Sequence, residues 1–228
     1  MPVEFSAAAF RFGHSMVRKR YNFNEGHDDT SLALLFRFAG AKGDLGGMEA
    51  LPKDWIIEWD RFLPFGNNSY NKARKIDTQL SSFLHGLGGN GVFQVLAQTN
   101  LLRGYLLSLP TGQALARKVL GDEGVLTGEQ ILENASEAEK AALKSAGLHT
   151  RTPLWYYILA EASIQNKGMY LGKLGSTIVA ETIIGLIRCS SNSILNEINW
   201  KPTLGDSFNL QELIRFIELG PGQAETLL

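Results

Sequence analysis

The segment "AFRFGHSMVRKRYN", residues 9–22, places one histidine among aromatic and small residues and predicts a helix that starts earlier, over residues 3–20. Arg11 and His14 are three residues apart and so lie on adjacent turns of that helix. The small residues that leave one side of it nearly bare are Ala7, Ala8, Ala9 and Gly13. Two interpretations follow. Either this is a core helix with a hydrogen-bonded histidine, or a planar molecule lies against the bare side and His14 is its ligand.

The composition is that of a globular protein with one large or two small domains. Of the 228 residues, 44 % are hydrophobic and 20 % are charged, and the net charge is −1. The sequence has no clustered basic excess, which argues against nucleic acid or an anionic membrane as the main partner. Cys189 is the only cysteine, so an internal disulfide and a cysteine-based metal site are excluded. No stretch predicts a membrane span, and no secretory signal is recognised; the sequence assigns no localisation.

Helical periodicity dominates the chain and predicts a mainly α protein with long connecting loops. Residues 24–50 are loop-like around the apolar run 31–38, which fits a short helix or a buried strand. The helix over 176–195 is apolar around most of its circumference, which predicts that it is buried. Further helices are predicted over 51–65, between the loops at 66–71 and 85–91, and over 92–102, 111–121, 136–147, 153–165 and 209–220, with N-caps at Thr111, Ser136 and Asn209.

Only one of the four histidines lies where packing alone explains it poorly. His27, in "EGHDD", is better explained as a surface loop residue than as a metal ligand. His85 is expected at the C-terminal end of a helix, and His149 in a turn. No phosphate-binding glycine loop, zinc-type HExxH motif or serine nucleophile elbow is present. This leaves His14 as the candidate ligand.

A second polar pair lies in the apolar segment "QTNLLRGYLLSLP", residues 98–110. Asn100 and Arg103 are three residues apart and can share one face of a helix. A buried histidine ligand usually needs an acceptor for its second ring N–H, and an asparagine amide oxygen is suitable. Arg103, and Arg11 beside His14, could each bind an acidic group of the bound molecule. Ordinary polar residues near a helix end would explain the same pattern.

At this point the sequence resembles a known family. "AFRFGHSMV" (9–17) is similar to the proximal-histidine helix of animal-type haem peroxidases, the peroxidase–cyclooxygenase superfamily, especially its bacterial branch. "NLLRGYLLSLPTGQALA" (100–116) resembles the segment that supplies the asparagine partner of that histidine. Further segments with similar counterparts in the same order are 44–62, 153–162, 171–187 and 199–216. The resemblance covers nearly all of residues 3–218.

The resemblance implies roles for four residues. His14 matches the axial ligand of the haem iron and Asn100 its hydrogen-bond acceptor, while Arg11 and Arg103 match residues near the haem propionates. Tyr105 departs from the family, in which many members have another arginine. The implied fold is the proximal half of the animal haem peroxidase helical fold, and residues 1–228 are expected to form a single partial domain. The distal half, with its catalytic residues and calcium site, has no counterpart in this sequence.

The implied function is a haem peroxidase that acts in the response to oxidative stress. It would reduce peroxide and oxidise a small organic donor by one electron at a time when an upstream distal-half chain is supplied. The alternatives are a non-catalytic or degenerate haem-binding module and a helical interaction module in which His14 belongs to the core. The peroxidase interpretation predicts a hydrogen bond of about 2.7–3.2 Å between a His14 ring nitrogen and the Asn100 amide oxygen. It also predicts that the four site residues border one concavity, with large apolar residues exposed nearby.

Overall fold

The chain forms two compact units. The computed structural model describes residues 1–39, 43–66, 69–85, 95–201 and 208–219, with side chains in the last range up to 217. The first unit consists of residues 1–19 and 73–186, and the second of residues 20–72 and 187–228.

The described residues are mainly helical, which confirms the predicted class. The α-helices are α1 (Val3–Ala7), α2 (Gly13–Met16), α3 (Leu32–Phe38), α4 (Leu96–Leu106), α5 (Gly112–Leu120), α6 (Gly128–Glu133), α7 (Glu137–Ser145), α8 (Leu154–Asn166), α9 (Lys173–Arg188) and α10 (Leu210–Leu219). Two short strands, β1 (Arg20–Tyr21) and β2 (Thr30–Ser31), pair antiparallel. Short 3-10 turns lie at Ala9–Phe12, Lys53–Trp55, Trp59–Arg61, Ser82–His85, Asp122–Gly124 and Ile194–Asn196. Among the described helices, none is long and apolar enough to cross a membrane.

Helix α8 is the centre of the first unit. Most of its residues are buried, and α4, α5, α6 and the 3-10 turn at Ala9–Phe12 pack against it. Tyr157 is fully buried and its hydroxyl accepts a hydrogen bond from the backbone N–H of Leu126 at 2.9 Å. Burial raises the pKa of Tyr157 to about 12, so the phenol stays protonated inside the core.

The first segment is less helical than predicted. The predicted helix over 3–20 is broken at Ala8, whose φ of −133° and ψ of −69° are not helical, and it ends at Met16. Ala8 and Ala9 are completely buried, so their small side chains allow close packing within the first unit. The sequence predicted that these residues leave one side of the helix bare for a planar molecule. Because Ala8 and Ala9 are buried, that prediction is wrong for them. Gly13 does remain open, since a Cβ added there would meet nothing within 4 Å.

The helix predicted over 51–65 is wrong, because this segment forms two separate 3-10 turns. The side-chain amide of Asn24 donates to the backbone carbonyls of Lys53 at 3.3 Å and Ile56 at 2.8 Å. Asn24 is itself buried. The carbonyls that a helix would use for its own hydrogen bonds are therefore bound to a distant side chain, and the helical periodicity is overridden.

Helix α9 begins on two side chains of α8. Its first N–H, from Lys173, donates to Gln165 Oε1 at 2.8 Å. The next two, from Leu174 and Gly175, donate to the carboxylate of Glu161 at 3.0 and 3.1 Å. These are N–H groups that a helix cannot satisfy internally. Helix α8 thus supplies the N-terminal caps of its neighbour.

The predicted burial of the helix over 176–195 is wrong for its second half. Helix α9 ends at Arg188, and only its N-terminal part is well covered. Its exposed apolar residues are Ile183, Ile184, Leu186 and Ile187. An apolar circumference shows that a helix can be buried but does not supply the neighbours that cover it.

Other predicted elements agree with the structure to different degrees. The run 31–38 is the helix α3, and the caps at Thr111, Ser136 and Asn209 are present. Between the loops at 66–71 and 85–91, the described residues form only the 3-10 turn at Ser82–His85. The helix predicted from residue 92 begins at Leu96, and residues 86–94 lie outside the described part. Helix α6 was not predicted, although Thr127 and Gln130 form a capping box that could have revealed it.

Candidate functional site

The structure brings together the two residues that the sequence pairs. His14 lies in α2, half-buried, and Asn100 is the fully buried residue of α4. The Nδ1 atom of His14 lies 2.9 Å from the Nδ2 atom of Asn100, across 86 residues of sequence. The two side chains are therefore within hydrogen-bond distance, as predicted, but the bond is not the predicted one. The amide, however, points its nitrogen rather than its oxygen at the ring.

Arg11 explains this orientation of the amide. Its Nη1 donates to Asn100 Oδ1 at 2.8 Å, and its Nε donates to the carbonyl of Ser6 at 3.1 Å. A guanidinium group carries only donors, so it takes the amide oxygen and leaves the amide NH₂ for His14. The backbone carbonyl of Arg11 accepts from Trp155 Nε1 at 3.3 Å, which ties this turn to α8. Arg11 was predicted to face a bound acidic group, and here it fixes a neighbouring side chain.

The amide orientation sets the tautomer of His14. Because Asn100 donates to Nδ1, that atom must accept, and the ring proton lies on Nε2. Burial first, and then the positive charge of Arg11, lower the pKa of His14 below its ordinary value of 6.5. The imidazole is thus neutral, as a metal ligand requires. For Nε2 to bind a metal, the proton must move to Nδ1 and the amide must turn over.

Arg103 lies near Arg11 but is exposed. Burial, followed by the charge of Arg103, lowers the pKa of Arg11. Within the described residues, neither arginine forms an ion pair with a carboxylate. Two neighbouring cations without an acidic partner are suited to binding an anionic group.

The sequence predicts a concavity bordered by all four site residues, but the cavity beside α4 is bordered by only one of them. A cavity of about 160 Å³ there is lined by residues of α4, by the turn between α4 and α5 and by the start of α8 with Arg151, and of the four predicted residues only Asn100 contributes. Such a volume is below that of most ligand pockets, which are about 300–1,000 Å³. The predicted exposure of apolar residues is found: Phe10, Tyr105, Leu106 and Leu107 are all exposed in the first unit.

The other three histidines lie in a turn or beside aromatic rings. His85 is exposed at the end of its 3-10 turn, and His149 lies in a turn, as predicted. His27 stacks on Phe23, with ring centroids 5.1 Å apart, and makes a tilted contact with Trp55, with centroids 4.9 Å apart; neither contact was predicted. In the described part of the chain, no group of three or more histidine, cysteine or acidic residues could hold a bare metal ion.

Comparisons with known proteins do not assign the chain to a family. No protein-family model matches the sequence, and no curated protein matches it. The assignment of the candidate site therefore rests on its geometry and on the resemblance of the sequence segments described above.

The residues present fit a haem group held by one axial histidine. Such a site needs one neutral imidazole rather than a cluster of metal ligands, and His14 supplies it next to the open space at Gly13. Arg11 and Arg103 have the charge that two carboxylates of the ligand would require. On binding, the tautomer of His14, the direction of the Asn100 amide and the bond from Arg11 to Asn100 would all have to change.

We expect nitrogen NMR of labelled histidine to place the proton of His14 on Nε2. Arg11→Leu removes the donor that holds the Asn100 oxygen, so the amide can turn and the proton can move toward Nδ1. Arg103→Leu is the matched control, because it removes a nearby arginine without changing the bond to Asn100, and it should leave the tautomer unchanged. A proton on Nδ1 in the unsubstituted chain would contradict this assignment.

Proposed function

We propose that this chain is the proximal, haem-binding part of a peroxidase of the animal haem peroxidase type. The observation that carries the proposal is the pairing of a half-buried neutral histidine with a fully buried asparagine at 2.9 Å across 86 residues. The resemblance pairs the same two residues, although with Asn100 as the acceptor rather than the donor. Haem, when bound, would supply the redox chemistry for peroxide reduction and one-electron oxidation of organic donors.

The residues of this chain would hold and orient that group. His14 would hold the iron through Nε2 once the Asn100 oxygen accepts a hydrogen bond from Nδ1–H, which would keep the imidazole neutral and its ring direction fixed. Arg11 and Arg103 would bind the propionates. If Arg11 paired with a carboxylate of the ligand instead of Asn100, the Asn100 oxygen would be free to face His14. Haem binding and the change of tautomer would therefore occur together.

Peroxide turnover needs more than these residues supply. An acid–base group on the opposite side of the haem contributes about 10²–10⁴-fold to the rate, and the resemblance places that group in a distal half outside the matched segments. We propose that a distal half carrying such a group completes the enzyme. The exposed apolar residues Phe10, Leu106 and Leu107 support a partner on the first unit. This chain alone is expected to bind haem weakly and turn over slowly.

The test is a titration of the purified chain with haemin, followed by the Soret absorption band. We expect His14→Ala to abolish the spectrum of a histidine-ligated haem. Asn100→Ala should weaken binding by about 10–100-fold, the usual effect of losing the partner of a metal-binding histidine. His85→Ala is the matched control, because His85 is exposed at the end of a 3-10 turn, and it should bind as the unsubstituted chain does.

A rescue experiment separates ligation from folding. In His14→Gly, added imidazole should restore the ligated spectrum if the residue acts as an iron ligand. No spectral change in the unsubstituted chain, or equal binding by His14→Ala, would contradict the proposal and favour a helical interaction module. Haem ligation without donor oxidation in the presence of a distal-half chain would favour a non-catalytic haem-binding module.

A further inference from the structure

The second unit contains a separate apolar cavity that the proposed function does not use. Its volume is about 360 Å³, and all nine residues that line it are apolar. It lies between α3 and the segment 52–62, and four of its lining side chains are aromatic: Phe23, Phe38, Trp55 and Phe62.

The cavity walls are held by backbone hydrogen bonds behind them. On one side, the N–H groups of Asp44 and Leu45 donate to the carbonyls of Arg37 and Phe38, at 3.1 and 3.3 Å, which fixes the chain after α3. On the other side, the buried amide of Asn24 holds the 3-10 turn at Lys53–Trp55 as described above. Hydrogen bonds therefore hold the backbone on both sides of the cavity.

The aromatic rings form a connected surface. Trp55 contacts Phe38 with ring centroids 4.7 Å apart and Phe23 with centroids 5.5 Å apart. His27 contacts both rings, stacked on Phe23 and tilted against Trp55. Aromatic rings favour other rings in tilted or offset arrangements. The lining thus selects a flat aromatic ligand over a branched aliphatic one.

The lining and the volume define the ligand further. A water molecule needs 2–4 polar partners in a buried site, and among the lining side chains the indole N–H of Trp55 is the single polar group. A charged ligand would lose its hydration without a compensating partner. An apolar cavity of about 150 Å³ accommodates one benzene molecule, so this one has room for roughly two rings.

We propose that the second unit binds an uncharged two-ring aromatic molecule in the cavity between α3 and the segment 52–62. This site is independent of the haem proposal, because all of its lining residues belong to the second unit. His14→Ala should therefore leave it intact.

The experiment is a calorimetric titration of the full chain with naphthalene. We expect saturable binding at one site per chain. Ala39 is an exposed residue that lines the cavity, so Ala39→Trp adds a large ring there and should weaken the affinity at least about tenfold, as overfilling a packed site does. Ala33→Trp is the matched control, since Ala33 is an exposed residue of α3 that does not line the cavity; its affinity should be unchanged.

Two further measurements make the result decisive. Leu35→Trp fills the cavity from its wall and should show the same loss as Ala39→Trp, with circular dichroism used to confirm that both variants fold. Naphthalene-2-sulfonate should bind at least about tenfold more weakly than naphthalene, because its charge finds no partner.

Several outcomes would overturn the proposal. These are no saturable binding by the unsubstituted chain, equal binding by Ala39→Trp, or loss of binding in His14→Ala. Self-association of the chain that Ala39→Trp abolishes would also overturn it, since the cavity would then hold part of a second copy.

Discussion

Replacing Gly112 with alanine is expected to destabilise the protein by about 2–3 kcal/mol, the cost of overfilling a packed core. Gly112 is the first residue of α5, and a Cβ there would lie 2.0 Å from Cγ and 2.2 Å from Cβ of Tyr157. These atoms are close to the backbone of α8 and cannot turn away, so α5 would have to move.

Helix α5 is prevented from moving by bonds to Thr152, which lies two residues before α8. The N–H of Gly112 donates to the carbonyl of Thr152 at 2.8 Å. The Gln113 amide donates to the hydroxyl of Thr152 at 2.8 Å and accepts from its N–H at 2.9 Å. The added methyl group therefore breaks several contacts at once.

Urea unfolding followed by far-UV circular dichroism measures this effect. Gly185→Ala is the matched control, because Gly185 lies in α9 and a Cβ there meets nothing within 4 Å. At such a helical position alanine should stabilise by about 0.5–1 kcal/mol relative to glycine. If both variants were stabilised, the close packing of α5 on Tyr157 would be wrong.

Glu161→Gln is expected to cost about 1–3 kcal/mol at neutral pH, because one buried N–H at the start of α9 loses its acceptor. The carboxylate of Glu161 accepts from both Leu174 and Gly175, whereas an amide has only one oxygen. Its NH₂ group would face the second N–H, donor against donor.

The same residue makes stability depend on pH. Burial, the largest effect, raises the pKa of Glu161 above its ordinary value of 4.5, while the bonds from Leu174 and Gly175 act in the opposite direction. Between the unfolded and the folded pKa, the folded state binds more protons, so stability falls as pH rises. The contribution is complete below the ordinary pKa and is lost as pH passes the folded pKa.

Urea unfolding at a series of pH values tests this prediction. Glu161→Gln should remove the decline in stability that begins near the ordinary carboxyl pKa, because glutamine does not titrate. Glu181→Gln, at an exposed position of α9, should keep the decline of the unsubstituted chain. A Glu161→Gln curve parallel to that of the unsubstituted chain would assign the decline to another group.

Local signals predicted much of the fold because their causes are local. The caps of α5, α7 and α10 depend on residues within one turn, and they are present as predicted. The segment 51–65 failed because Asn24, which captures its carbonyls, lies 29 and 32 residues away from them. The exposure of Ile184 and Leu186 on α9 also depends on neighbours that a helical pattern does not specify.

For the site, the sequence predicted which residues meet but not how they are bonded. The proximity of His14 and Asn100 followed from the resemblance and from the need of a buried imidazole for a partner. The direction of the Asn100 amide depends on the side-chain position of Arg11, which a one-dimensional pattern does not contain. The role of Glu161 was missed because the sequence of α8 does not show which N–H groups will donate hydrogen bonds to its carboxylate.

The first unit consists of two stretches of chain, and the end of the first stretch lies beside the start of the second. Residues 20–72 leave it after Lys19 and return at Ala73, and the N–H of Arg74 donates to the carbonyl of Met16 at 3.0 Å. The cost of closing a loop rises only slowly with its length. The stretch between residues 19 and 73 can therefore be replaced by one of a different length. The contact between Arg74 and Met16 would still hold the two parts of the first unit together, and with them His14 and Asn100.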